Sequence, residues 1–209
     1  MALKYPGPKR PINHPIPKKE PPKKLINKSN MGQTLEDDVS VTNDYYLETK
    51  RAVVYKKPTP IQIVHVNYPA RNKAKITEAY YKIPSTTDFN GIYKGFYIDF
   101  DCKETQSKTS IPLSNIHPHQ IEHLRRITAA GGIGFLIVYF AYYNEHYYLP
   151  FEVLYKYYMA SLEEGRKSIP YQVFKDEAYR IPFSYNPRVD YLSVIDEHIL
   201  PTFKIKGHE

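Results

Sequence analysis

Ser85-Thr86-Thr87-Asp88-Phe89-Asn90-Gly91-Ile92-Tyr93-Lys94-Gly95-Phe96-Tyr97-Ile98-Asp99-Phe100-Asp101-Cys102-Lys103-Glu104-Thr105 is the stretch on which the reading of this chain turns. From Tyr97 to Lys103 it alternates with period two, the signature of a strand. Tyr97, Asp99, Asp101 and Lys103 share one face. Phe96, Ile98, Phe100 and Cys102 share the other, an apolar set suited to a core. Two carboxylates and an ammonium are thereby aligned on one side of a single strand. Upstream, Asn90-Gly91 is a hairpin signal, and a hairpin there is expected to return Asp88 to the side of Asp101.

Carboxylates from neighbouring strands suit a hard divalent cation. Magnesium takes oxygen ligands, commonly one or two carboxylates completed by waters and substrate phosphates. A lysine one repeat along the strand can offset charge building on a phosphorus centre. Asp88 followed by Asp101-Cys102-Lys103 resembles the PD-(D/E)xK nucleases, a short motif that chance also produces. A salt-bridged, solvated strand face is the other reading of the same residues.

Residues farther out narrow the choice. Lys56-Lys57-Pro58-Thr59-Pro60-Ile61-Gln62-Ile63-Val64, Ser85 to Gly91, Tyr97-Ile98-Asp99-Phe100, Lys103-Glu104-Thr105 and His119-Gln120-Ile121-Glu122-His123 stand in this order. Together they resemble the RecU family of Holliday junction resolvases, from about Thr34 to Pro187-Arg188-Val189-Asp190-Tyr191. The resemblance implies an α/β fold of the restriction-endonuclease type: a mixed central sheet flanked by helices, with a protruding β stalk over about residues 56–82. It implies a magnesium-dependent endonuclease, manganese able to substitute, that resolves four-way junctions by paired symmetric nicks in recombination and repair. Asp88, Asp101 and Lys103 would be catalytic, and Thr86 and Gln120 would join Asp88 and Asp101 at the metal. Thr86 would act through its hydroxyl or its main chain, and Gln120 through its amide oxygen or a bound water. Where the family carries Glu-Ala-Lys, this chain has Asp101-Cys102-Lys103. The charge is kept and one methylene of reach is lost. Contacts with recombinase and branch-migration proteins are also implied. Another endonuclease of the same fold, and a junction-binding accessory protein without turnover, are the alternatives.

Composition bounds the rest. The 209 residues make one domain with an appendage and suffice for a sizeable core. Cys102 is the single cysteine, which excludes a disulfide framework and fits a reducing, cytoplasmic setting. The N-terminal segment is basic, with no apolar run of a secretory signal. Ile133 to Tyr143 is too short to span a membrane, and no membrane association is expected. The net charge of +7 is uneven. Residues 1–33 and 50–82 each carry +7, residues 34–49 carry −5, and residues 83–209 carry −2. Two basic blocks beside a near-neutral body are the footprint of a polyanionic partner.

Residues 1–33 read as a disordered Pro/Lys-rich arm ahead of a nuclease domain over 34–203, since prolines bar helix and ladder formation. Thr34 is a suitable N-cap for a helix to about Glu48, with Leu35, Val39 and Tyr46 as its apolar stripe. Glu36 has two readings, an additional active-site acid or a charge complementing the helix dipole. Ala52 to Tyr55 and Ile61 to Tyr68 read as strands, and a short helix is expected from the Arg71–Lys75 region to about Tyr81. Lys56, Lys57, Arg71, Lys73 and Lys75 are candidate phosphate contacts on this arm. A second helix begins at His117-Pro118-His119 and ends at Gly131-Gly132. His119 and His123, four apart on it, have the spacing of a zinc pair but lack a third soft ligand nearby. Gly132-Ile133-Gly134 precedes a strand rather than a helix, and no Gly-Lys-Ser/Thr loop occurs, so neither a dinucleotide site nor an ATP motor is indicated. One active site per chain acting on a two-fold junction implies a homodimer.

Overall fold

A computed structural model describes residues 31–58, 60–69, 73–81 and 86–206. The expected basic arm lies outside the described residues as far as residue 30, as does Arg71. In chain order the elements are α1 (Met31–Glu48), β1 (Val53–Lys56), β2 (Ile61–Asn67), β3 (Lys75–Tyr81), β4 (Phe89–Tyr93), β5 (Phe96–Thr105) and β6 (Ser110–Pro112). A 3-10 turn then leads to α2 (Pro118–Ala129), β7 (Ile133–Phe140), β8 (Glu145–Pro150) and α3 (Phe151–Leu162). The chain finishes with β9 (Ser168–Pro170), α4 (Tyr171–Asp176), β10 (Tyr179–Ile181), and a helical run of α5 (Tyr191–Val194), a π turn and α6 (Leu200–Lys206).

The fold is mixed α/β, built on a six-stranded sheet in the order β1-β4-β5-β7-β8-β10. Among the described residues, only β5 and β7 run parallel. A parallel pair needs a crossover, and α2 supplies it. The period-two pattern sorts the sheet into two cores. Ile98, Phe100 and Cys102 of β5 join Leu35, Val39 and Tyr46 of α1 on one face, with Tyr191, Leu192 and Ile195. Phe89, Phe100, Phe135 and Tyr148 stack in sequence across four strands, with ring centroids 5.2, 4.6 and 4.3 Å apart. On the opposite face, Leu136, Val138 and Phe140 of β7 pack with Ile121 and Leu124 of α2 and with Leu154 and Phe174. The C-terminal run is tied to α1, where the Tyr46 hydroxyl donates to Asp190 at 2.7 Å and the Val189 N–H donates to Thr42 at 3.0 Å. Among the described residues, no helix is long and apolar enough to cross a membrane.

Three local expectations are corrected. The hairpin turn is at Lys94-Gly95, both with positive φ (50° and 86°), the geometry of a tight hairpin turn. Asn90-Gly91 sits inside β4 instead. Gly91 is required there by crowding: a Cβ on it would come within 2.1 Å of the Val53 carbonyl oxygen on β1. Residues 75–81 form a strand, not a helix, because they pair antiparallel with β2 from Ile61↔Tyr81 to Asn67↔Lys75. This hairpin is a two-stranded sheet of its own, separate from the six-stranded one, and its apolar Ile61, Ile63, Val64, Ile76 and Tyr80 are exposed. Lastly, α1 starts at Met31 rather than after Thr34. Glu36, Asp37 and Asp38 therefore fall in its second turn, where the helix dipole has little hold on them.

Candidate active site

The turn at Lys94-Gly95 sets the register of the two strands that carry the acids. Phe89 pairs with Phe100 and Asn90 with Asp99, so one step further Asp88 stands opposite Asp101. Residues directly opposite in an antiparallel pair project to the same face. On the other side β1 pairs with β4, Lys56 opposite Phe89, and the Lys57 N–H donates to the Asp88 carbonyl at 2.7 Å. Two carboxylates thus meet at the point where three strands run side by side.

Their surroundings set their protonation. Asp101 is wholly buried. Its Oδ1 accepts from the Cys102 N–H at 2.9 Å. Its Oδ2 forms a 2.8 Å ion pair with Lys103 Nζ. Burial, then the adjacent Asp101 carboxyl, pushes the Asp88 pKa up to about 7, with Lys103 pulling the other way. Burial likewise raises the Cys102 thiol, helped by the charges of Asp101, Asp88 and Glu36. Glu36 is thereby drawn into the same electrostatic neighbourhood. It forms a 2.7 Å ion pair with Lys56, whose pKa is raised first by that contact and further by Asp37 and Asp88.

The polar face of β5 is covered by α2, so it is not a solvated strand face. The Gln120 side chain is buried, and its Oε1 accepts from the His117 N–H at 3.1 Å, closing the start of the helix. Its amide oxygen is thus already engaged, with its second lone pair left for another donor or ion. The Thr86 hydroxyl reaches the carbonyl of Thr87 at 3.5 Å. His123 has its Nε2 engaged by Asp99 at 3.0 Å. Among the described residues, no group of three or more His, Cys, Asp or Glu side chains converges as a ready cage for an ion. The residues still fit magnesium. The wholly buried Asp101 carboxylate, paired with Lys103, sits beside Asp88, whose ionisation burial and the Asp101 carboxyl oppose, and a dication would offset the crowded negative charge.

The candidate phosphate contacts divide. Lys73 and Lys75 are exposed at the start of β3, and Lys56 is half-exposed on Glu36. Lys57 departs from expectation because its ammonium points inward, 2.9 Å from both Asp99 and Thr87. Buried Asp99 gathers four donors: Thr87, Lys57, Tyr97 and His123. Lys57, Thr87 and His123 had no such role in the sequence reading. The alternation Val53, Tyr55, Lys57 along β1 was the available signal, since it sets Lys57 on the same face as Asp99.

Residues 30–197 match the model of the family described as Recombination protein U, RecU. The chain belongs to this family. It is 52% identical over 169 residues to the Holliday junction resolvase RecU of Oceanobacillus iheyensis, covering 81% of this chain and 86% of that one. It is 49% identical over 197 residues to the Holliday junction resolvase RecU of Geobacillus kaustophilus, covering 94% and 97%. Among solved structures, Hjc, a Holliday junction resolvase of Archaeoglobus fulgidus, aligns with a TM-score of 0.40 at 12% identity, over 69% of this chain and 92% of that one.

Proposed function

We propose that this RecU-family chain is an endodeoxyribonuclease that resolves four-way DNA junctions with paired nicks, acting as a homodimer in the cytoplasm. The observation carrying the proposal is the pairing of Asp88 with a wholly buried Asp101 beside Lys103. The RecU relatives named as Holliday junction resolvases supply the substrate.

Asp88 and Asp101 would hold magnesium, with Thr86 and Gln120 contributing oxygens and Glu36 available as a further acid. When bound, the ion supplies polarisation of the scissile phosphate and a more acidic water. Lys103, 2.8 Å from Asp101, would neutralise charge gathering on the phosphate oxygens. The shorter Asp101 keeps its 2.8 Å contact with Lys103, which favours an intact site over a binding protein that has lost turnover. Lys56, Arg71, Lys73 and Lys75 would take backbone phosphates, so that branched shape rather than base sequence selects the substrate.

The test is a magnesium and manganese titration on a labelled four-way junction beside a matched linear duplex. Metal-dependent, symmetric nicking confined to the junction is expected. Equal cutting of the linear duplex would favour another nuclease of this fold. Binding without cutting at any metal concentration would favour the accessory protein.

A further inference from the structure

We infer that Asp99, Lys57 and Thr87 form a clamp that positions segment 86–88, and that Lys57 acts through this clamp rather than as a contact to DNA. The inference rests on the nuclease reading above and assigns a positioning task to residues outside the reacting centre.

The Thr87 hydroxyl donates to Asp99 Oδ1 and accepts from Lys57 Nζ at 2.9 Å. Lys57 Nζ also donates to Asp99 Oδ2 at 2.9 Å, and the Lys57 main-chain N–H donates to the Asp88 carbonyl at 2.7 Å. Lys57 therefore grips both Thr87 and the backbone of Asp88. The anchor is itself held from several sides. Asp99 has no exposed surface, and its Oδ2 also receives the Tyr97 hydroxyl at 2.9 Å and His123 Nε2 at 3.0 Å. The end of β1, segment 86–88, β5 and α2 thus converge on one carboxylate. The Lys57 side chain is only 17% exposed, whereas that of Lys56 is 45% exposed.

Chemistry also argues for position rather than contact. A buried carboxylate is stable only while its donors remain, so removing Lys57 for a DNA phosphate would strip Asp99 of its nearest cation. Thr86 and Asp88 flank the clamped Thr87. Loosening the clamp leaves their functional groups intact but shifts where they stand against Asp101. Outer partners of this kind typically alter metal affinity or activity by about 10- to 100-fold.

The test compares full-length wild type with Lys57→Met, Thr87→Val and Thr87→Ser, after thermal melting verifies that each folds. Junction affinity is measured by gel shift without divalent ions over a range of salt. Single-turnover cleavage is measured against magnesium concentration with DNA saturating. Lys57→Met is expected to keep wild-type affinity and salt slope, to cut about 10- to 100-fold more slowly, and to need more magnesium for half its maximal rate. Thr87→Val should share the defect, and Thr87→Ser, which restores the hydroxyl, should recover most of the rate. Weaker binding by Lys57→Met with a salt slope lowered by about one would overturn the inference and make Lys57 a phosphate contact. Wild-type cutting by Thr87→Val would overturn it also. If Lys57→Met fails to fold, the Val and Ser pair at Thr87 decides. A junction left uncut by the wild type would sink the nuclease reading alone. The clamp is then read from the magnesium concentration giving half the thermal shift, expected about 10-fold higher in Thr87→Val than in wild type; equal half-points, or no shift in either protein, overturn it.

Discussion

Asp99 and Asp101 stand two residues apart on the same face of β5, and neither has any exposed surface. Around Asp99 the fold has gathered a hydroxyl, an ammonium, a phenol and an imidazole. Around Asp101 it has gathered one amide N–H, one ammonium, and a second carboxyl that does not ionise readily beside it. A satisfied buried carboxylate holds structure together. One that shares a single ammonium with a second carboxyl costs stability, an arrangement typical of sites where charge is shifted for function. The difference lies in the neighbours: Asp99 meets side chains from three other segments, whereas Asp101 faces the start of β4, where Asp88 stands.

That contrast can be broken in several places. The largest effect is expected at the reacting end. Lys103→Ala or Asp88→Asn should lower single-turnover junction cleavage by on the order of 10³-fold or more while gel-shift affinity stays close to wild type. Full cutting by either variant would remove the basis for assigning the chemistry to Asp101's end of the strand. At the structural end, Asp99→Ala should cost about 3–5 kcal/mol in denaturant unfolding, because it leaves the Lys57 ammonium buried without its carboxylate. Asp101→Ala, measured without metal, should cost less, within about 1 kcal/mol, because Asp88, relieved of its neighbour, can ionise and replace Asp101 as the partner of Lys103. Equal losses at the two positions would erase the distinction.

Protons and magnesium sharpen the same point. Folding raises the Asp88 pKa from 3.8 to about 7, so the folded state holds the extra proton. The resulting stabilisation is full below the unfolded pKa and is lost as pH rises toward 7. Metal-free wild type should therefore lose melting temperature relative to Asp88→Asn between about pH 4 and pH 7.5. Glu104, pushed up to about 7 by burial, contributes alike in both proteins and cancels in the comparison. Magnesium at about 100 times its dissociation constant should add about 2.7 kcal/mol to the wild type at pH 7.5. The gain should shrink at pH 5, where a proton competes for Asp88. An equal thermal shift in Asp88→Asn would contradict it. The smallest effect belongs to the separate β2–β3 hairpin. Lys73→Gln or Lys75→Gln should each lower the log–log salt slope of junction binding by about one without touching the cleavage rate of bound DNA.

Much of the fold was legible because alternation is a local property. The two faces of β5, the apolar stripe of α1, and the helix between His117 and Gly131 all follow from residue spacing alone. The β3 strand escaped because seven residues with Ile76, Thr77, Tyr80 and Tyr81 suit either period, and only hydrogen bonding to β2 chooses between them. The hairpin turn escaped because Asn90-Gly91 is a strong local signal, overruled by the close approach of β1 to Gly91.

The sequence by itself determined which residues carry charge, that Asp99, Asp101 and Lys103 share one side of a strand, and that a dozen positions earlier another acid precedes a strand. Tertiary structure decided what each charge does. A turn placed at residues 90–91 would have set Asp88 against Tyr93; the turn at Lys94-Gly95 sets it against Asp101. Docking of α2 and the end of β1 then buried the polar face and gave Asp99 its donors. The physical reason is range: side-chain periodicity is written within a few residues, whereas register, burial and the partners of a charge depend on segments that meet only when the chain closes on itself.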